Sequence, residues 1–285
     1  MILIAESGST KCDWVFSHKT GKEIFRTRTK GLNPSILSKK QLKKIISKNK
    51  QLSKHKDKVT SIHFFGAGCN TKKNNAKILH SLNTFFNNAI SRVEEDTMAA
   101  VYATTTTKAV VCILGTGSNC CYYNGTKVIT KSPALGYTLM DEGSGNYFGK
   151  QLLVSYFYNK MPKELSISFK SKYNLNENVV IKKLYQSKTP NKYLANFAPF
   201  LFENQENLFI KEIIKKGIQK FIENHILQYS KELESNTIHF VGSIAYLSKE
   251  YIREELAKHN LEATNFIRRP IDNLINHILK VENKV

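Results

Sequence analysis

Short apolar runs broken by Gly, Ser, Thr and Asn set the pattern of the chain. Ile2–Glu6, Cys12–Ser17 and Glu23–Arg28 read as three strands, and Thr20-Gly21 between the last two is a hairpin turn signal. A helix is predicted through Lys39 to Lys50, then a buried strand over "VTSIHFFGAGC" (59–69) ending in a glycine turn. Next come a helix over 70–86, a short strand at "AISRV", and a helix opening at "EEDTMAAVYATTT". The pattern then restarts. Val110–Leu114, Asn119–Tyr123 and Thr126–Thr130 repeat strand, turn, strand, "NGT" hairpin, strand in the order of residues 2–28. Helices are expected at about Gly149–Tyr158 and over 207–234, the latter with an apolar stripe at Ile210, Ile213, Ile214, Ile218, Phe221 and Ile222. Residues 160–206 read as a helical insertion and "TIHFVGSIAYL" (237–247) as a late buried strand ending in a third glycine turn. "PIDNLINHILK" (270–280) opens with a proline suited to a helix start.

Two successive units of strand meander plus helices predict an α/β fold of two ribonuclease-H-like domains facing a cleft. The expected domains are 1–107 and 108–285, the second carrying the insertion, with the last helix free to return to the first. No Pro/Gly-rich linker separates them; the boundary is the compositional kink "ATTTTKA".

The glycine turns carry the candidate chemistry. In "AESGSTK" and "ILGTGSN" an apolar strand breaks into Gly, Ser and Thr and resumes as a strand, so that backbone N–H groups and hydroxyls converge on a concave anion site suited to phosphate. Neither is a Walker A loop, and neither opens the helix that a dinucleotide fingerprint requires. Matching positions in a duplicated unit, with a third turn at "VGSIA", make simple chain reversal a weak explanation.

"AESGSTK", "ILGTGSN" and "FVGSIA" resemble the first phosphate, second phosphate and adenosine motifs of the sugar kinase, actin and chaperone superfamily. "LGTGSN", "LGYTLMDEGSG" and "GLNPS" resemble more closely the BadF/BadG-type ATPases in their N-acetylglucosamine kinase branch. The likeness covers roughly 1–150 and 237–280.

It implies that Gly8, Ser9, Thr10 and Lys11, with Gly115, Thr116 and Gly117, hold the phosphates of ATP, and that Gly242 and Ser243 line the adenosine pocket. It implies Asp96 as catalytic base and sugar ligand, and Asn33, Gly68, Ser118, Asn119, Gly136 and Asp141 as further sugar contacts. Glu6 stands where the family usually has Asp and would hold Mg²⁺ through water; the extra methylene puts catalytic rate in question more than nucleotide binding. Met140 stands where glycine is common, which leaves the geometry of its loop open. Two readings of Glu94, Glu95 and Asp96 also stay open, a catalytic aspartate or an acidic cluster suited to the helix dipole. For "DEGSG" the alternative is a polar loop capping the helix that follows.

The expected activity is ATP-dependent phosphorylation of an amino sugar, N-acetylglucosamine or a related N-acetylhexosamine, at the hydroxyl on carbon 6. The alternative within the fold is a regulatory or activator ATPase without sugar kinase activity. The family's frequent dimers make a homodimer an expectation as well.

Charge adds a rival. With 43 Lys+Arg against 23 Asp+Glu the net charge is +20, and much of the excess lies in "SKKQLKKIISKNKQLSKHKDK" (38–58). Nucleic-acid binding would use such a field. The excess is nearly all Lys, however, not the Arg that forks onto phosphates and bases, so a solvated surface is the better reading. Five cysteines, with no C-x-x-C pair, read as reduced and mostly buried thiols. No run reaches the length of a membrane span and no signal-peptide pattern follows Met1, so the expected location is the cytoplasm.

Overall fold

The structure, a computed structural model, describes residues 1–8 and 10–282. The chain divides into two compact units, one of residues 1–106 together with the segment from Arg269 onward, the other Thr107–Arg268.

In the first unit β1 (Ile2–Ser7), β2 (Lys11–Ser17) and β3 (Glu23–Lys30) form an antiparallel meander, and β1 also pairs in parallel with β4 (Ser61–Gly66). β5 (Ile90–Glu95) completes a sheet of order β3-β2-β1-β4-β5. Central β1 buries Ile2, Leu3, Ile4 and Ala5 in succession, as a strand covered on both faces must, whereas edge strand β3 is exposed at every second position. Trp14, Phe16, Phe64 and Leu82 lie in the core of this unit.

Between β3 and β4 the single helix expected over 39–50 is two, α1 (Lys39–Ser47) and α2 (Lys50–His55). Asn49 makes the break: its side chain accepts from Leu52 N as the cap of α2 and donates to Thr27 Oγ1 and Arg28 O on β3. α3 (Lys72–Phe85) and α4 (Asp96–Thr104) follow, and the chain's last helix, Ile271–Glu282, packs on α4. There His277 stacks on Tyr102 at 3.8 Å and Asn273 Nδ2 donates to Ala103 O at 3.1 Å, while Arg26 of β3 pairs with Asp272.

In the second unit β6 (Ala109–Leu114), β7 (Ser118–Tyr123) and β8 (Val128–Ile129) form the second meander, with β8 shorter than the expected 126–130. α5 (Gly145–Phe157) starts four residues before the expected Gly149, at the cap Ser144. The insertion is helical, as α6 (Lys163–Lys172), α7 (Glu177–Tyr185), α8 (Pro190–Ala195) and α9 (Ala198–Glu203). It is no separate lobe: Phe169, Phe197 and Phe200 share one core with Phe148 of α5, and a Cβ on Gly149 would lie 1.8 Å from Leu194 O of α8.

The helix expected over 207–234 is interrupted. α10 (Leu208–Phe221) passes into a π-helical turn at Ile222–Ile226 and a 3₁₀ turn before α11 (Ser230–Leu233). β9 (Thr237–Val241) ends before Gly242, and α12 (Ser243–Leu247) occupies the rest of the stretch read as strand; α13 (Lys249–Ala257) follows. β10 (Ala263–Ile267), which the sequence did not suggest, pairs in parallel with β9, giving order β8-β7-β6-β9-β10, the same order as in the first unit. The last helix, α14 (Ile271–Glu282), closes the chain; no helix among the described residues is long and apolar enough to cross a membrane.

Candidate functional site

The first glycine turn is tied down at both ends. Ser7, wholly buried at the end of β1, accepts from Leu32 N at its Oγ (2.8 Å) and from Ala67 N at its carbonyl (2.8 Å), and Thr10 O accepts from Gly31 N (3.1 Å). These bonds bring "GLNPS" and "GAGC" to the turn. Gly68 adopts φ +80°, and a Cβ there would lie 2.4 Å from Asn33 Oδ1. Asn33 Oδ1 accepts from Ser35 N, and Asn74 Nδ2 bridges Ser35 Oγ and Gly68 O. Thr10, Asn33 and Gly68 thus belong to one knitted region. A Cβ at Gly8 would meet nothing closer than Lys11 O at 4.0 Å, so the turn is open at that point. Ser9 lies outside the described residues. Lys11 pairs with Asp13 at 3.4 Å.

Buried Thr10 Oγ1 has no hydrogen-bond partner among the described residues. A hydroxyl left so costs about 1–3 kcal/mol, a cost that a bound ligand removes.

Acids gather beside this turn. Asp96 is the first residue of α4 and its carboxylate accepts from its own N–H and that of Thr97, yet burial, aided by Glu95, raises its pKa to about 6. Asp96 with Glu95 also adds to the burial that pushes the Cys69 thiol up to about 12, which puts the aspartate near "GAGC". Glu6 is raised to about 7, by burial first and then by Asp96 and Asp13, against the pull of Lys11 and Arg269. Asp13 faces Glu6 across β1 and β2. Burial raises Asp13, but the hydrogen bond from Arg28 and the charges of Lys11, Arg28 and Arg269 outweigh it and leave its pKa lowered. Asp13 escaped sequence reasoning, although an acid inside the apolar run "CDWVF" was a signal for it.

The second glycine turn is held within its unit by the first turn of α5, by Asp141 and by Gly242. Gly145 N donates to Gly115 O (2.8 Å) and Asn146 N to Thr116 O (3.0 Å), so the first turn of α5 is anchored on it. Asp141 Oδ1 accepts from Ser118 N (3.0 Å) and its Oδ2 from Asn146 Nδ2 (2.7 Å). Gly242, at φ +118°, packs so closely that a Cβ would fall 2.2 Å from Leu114 O, which brings Gly242 and Ser243 beside this turn. Among the described residues Ser118 Oγ is buried without a partner, as Thr10 Oγ1 is in the first unit.

A Cβ at Gly115 would meet nothing within 4 Å, and Gly136, at φ +78°, is equally open. Asn119 spends its Oδ1 on Cys120 N. Met140 is accommodated because the positive φ values of its loop fall on Gly136, Asp141 and Gly143. Ser144, the serine of "DEGSG", caps α5, so the capping expected of this loop is present beside the hold of Asp141 on the turn.

Two antiparallel hairpins with glycine turns, each continued by parallel strands in one repeated order, define the ribonuclease-H-like fold shared by actin-like ATPases and sugar kinases. Over their full lengths, the chain and a candidate N-acetylglucosamine kinase of Porphyromonas gingivalis superpose with a TM-score of 0.91 at 28% identity. A candidate N-acetylglucosamine kinase of Chromobacterium violaceum gives 0.61 at 10% identity over 97% of this chain and 98% of that one. A glucokinase of the ROK family from Streptomyces griseus, solved with glucose and AMPPNP, gives 0.58 at 10% identity over 96% and 97%. The last two likenesses speak to the fold alone. No protein-family model matches the sequence, and neither does any curated protein.

Proposed function

We propose that the chain is an ATP- and Mg²⁺-dependent kinase that phosphorylates an amino sugar, N-acetylglucosamine or a closely related N-acetylhexosamine, at the hydroxyl on carbon 6. The observation that carries this reading is the pair of orphaned hydroxyls, Thr10 Oγ1 and Ser118 Oγ, each buried at the glycine turn of its own repeat. The likeness to the Porphyromonas gingivalis protein over the whole chain supports it, as do the "LGTGSN" and "DEGSG" motifs that resemble the BadF/BadG-type branch.

Gly8, Thr10 and Lys11 of the first turn and Gly115, Thr116 and Gly117 of the second receive the phosphates, and Gly242 and Ser243 the adenosine. Asn33, Gly68, Ser118, Asn119, Gly136 and Asp141 serve the sugar. As the sugar oxygen bonds to the γ-phosphorus, the bond from that phosphorus to the β–γ bridging oxygen breaks and ADP leaves with the electron pair. Asp96 takes the hydroxyl proton; a carboxylate whose pKa is about 6 is largely ionised at neutral pH and basic enough for the task.

Among the described residues no three His, Cys, Asp or Glu cluster as a metal cage. A magnesium ion that comes with substrate phosphates needs only one or two carboxylates, and Glu6 fits that need through water. The ion supplies neutralisation of phosphate charge.

A nucleotide-binding regulatory ATPase is the second reading, favoured by Glu6, whose extra methylene over the usual Asp would displace a metal held there and slow phosphoryl transfer more than nucleotide binding. Cytoplasmic location and a homodimer belong to the proposal, and nucleic acid does not. The test is ADP release from Mg-ATP with N-acetylglucosamine, N-acetylmuramic acid, glucosamine and glucose, with the product identified by phosphorus NMR. A 6-phosphate of an amino sugar is expected. Equal ATP hydrolysis with and without every sugar would establish the second reading instead.

A further inference from the structure

Asp141 and its neighbour Glu142 are bound to different partners. While Asp141 holds the second glycine turn, Glu142 accepts from His225 Nε2 (3.1 Å) and from Asn224 Nδ2 (3.2 Å). Gly143, at φ +68°, sits so close that a Cβ would lie 3.0 Å from Leu114, 3.1 Å from Phe221 Cβ and 3.2 Å from Gly217 O. Three consecutive residues therefore fasten one corner between the turn and the end of α10.

His225 and Asn224 belong to the π-helical turn at Ile222–Ile226. On a regular α-helix successive side chains do not face one another; the wider turn lets both reach one carboxylate, and such turns recur at functional sites. Stacking on Phe221 at 5.0 Å fixes the imidazole, and both His225 and Glu142 are largely withdrawn from solvent, with side-chain exposures of 10% and 18%. Removing one partner of a pair so placed leaves the other polar group without its bond and away from water, which costs more than at an exposed pair.

We propose that His225, assisted by Asn224, is a positioning residue: through Glu142 it holds the Asp141–Gly143 corner and thereby sets the Gly115–Ser118 turn for its ligand. The role in catalysis rests on the kinase reading, but the restraint itself does not.

The test compares native protein with His225→Leu and His225→Gln by NMR-detected amide exchange, read at Ser118 N–H, which Asp141 accepts, and at the amides of β9 as reference. The expected result is exchange at Ser118 faster by about tenfold in His225→Leu with β9 unchanged, and recovery in His225→Gln, which keeps a donor. With sugar and Mg-ATP, kcat should fall in His225→Leu and recover in the glutamine variant.

An unchanged Ser118 rate in His225→Leu overturns the proposal. Should that variant lose protection in β9 as well, Glu142→Ala is read in the same way and decides. If Ser118 responds as expected while the native protein shows no sugar-dependent ADP release, the restraint stands and the kinase reading falls.

Discussion

Gly117 lies against Asp141 so closely that a Cβ at position 117 would fall 2.9 Å from both carboxylate oxygens. The carboxylate cannot retreat without giving up Ser118 N or Asn146 Nδ2. Gly117→Ala should therefore cost about 1–3 kcal/mol in denaturant unfolding. It should also lower sugar-dependent ADP release, by up to roughly a hundredfold where the Asp141 carboxylate proposed to hold the sugar is pushed by about an ångström. Gly115→Ala, with open space at its Cβ, should leave unfolding nearly unchanged.

Asp96 gives the pH profile. In its proposed role of proton acceptor it works only when ionised, so kcat/KM should fall as pH drops through about 6, the value to which burial and then Glu95 raise it. A flat profile from pH 5 to 8 would remove Asp96 from that role.

Glu6 supplies a stability prediction in magnesium-free buffer. Its folded pKa of about 7 exceeds the 4.5 of a free glutamate, so the folded state keeps a proton that the unfolded chain gives up. The resulting stabilisation is full below about 4.5 and is lost as pH rises through about 7. Glu6→Gln, which cannot ionise beside Asp96 and Asp13, should raise Tm by more at pH 8 than at pH 5. Thermal melts at the two pH values decide it.

Gly149 joins the insertion to the core. A Cβ there meets backbone, Leu194 O at 1.8 Å, and backbone cannot rotate away. Gly149→Ala should cost about 3 kcal/mol or more, seen as a large Tm loss or as insoluble protein.

The duplicated meander could be read in the sequence because turn chemistry and alternation are local. β10 could not, because "ATNFI" has little apolar pattern of its own and becomes a strand by pairing with β9. The break at Asn49 and the π-turn that holds His225 were hidden for a related reason: the helical stripe continues through both, and what interrupts it is a contact far away in sequence, β3 in one case and Glu142 in the other. Glycine turns announced themselves by residue type, whereas Asp96 stood among three neighbouring acids and was singled out only by the family resemblance. That Asp141 would bind Ser118 N was not legible, since a carboxylate in a polar loop carries no mark of its partner.

Most directly, the account is tested by ADP release from Mg-ATP with saturating N-acetylglucosamine, for the native chain and for Asp96→Asn. Sugar-dependent release that falls about 10²- to 10⁴-fold in the variant, with ATP binding retained, is the predicted result. Sugar-dependent release at the same rate in both proteins, or none in the native one, would contradict it.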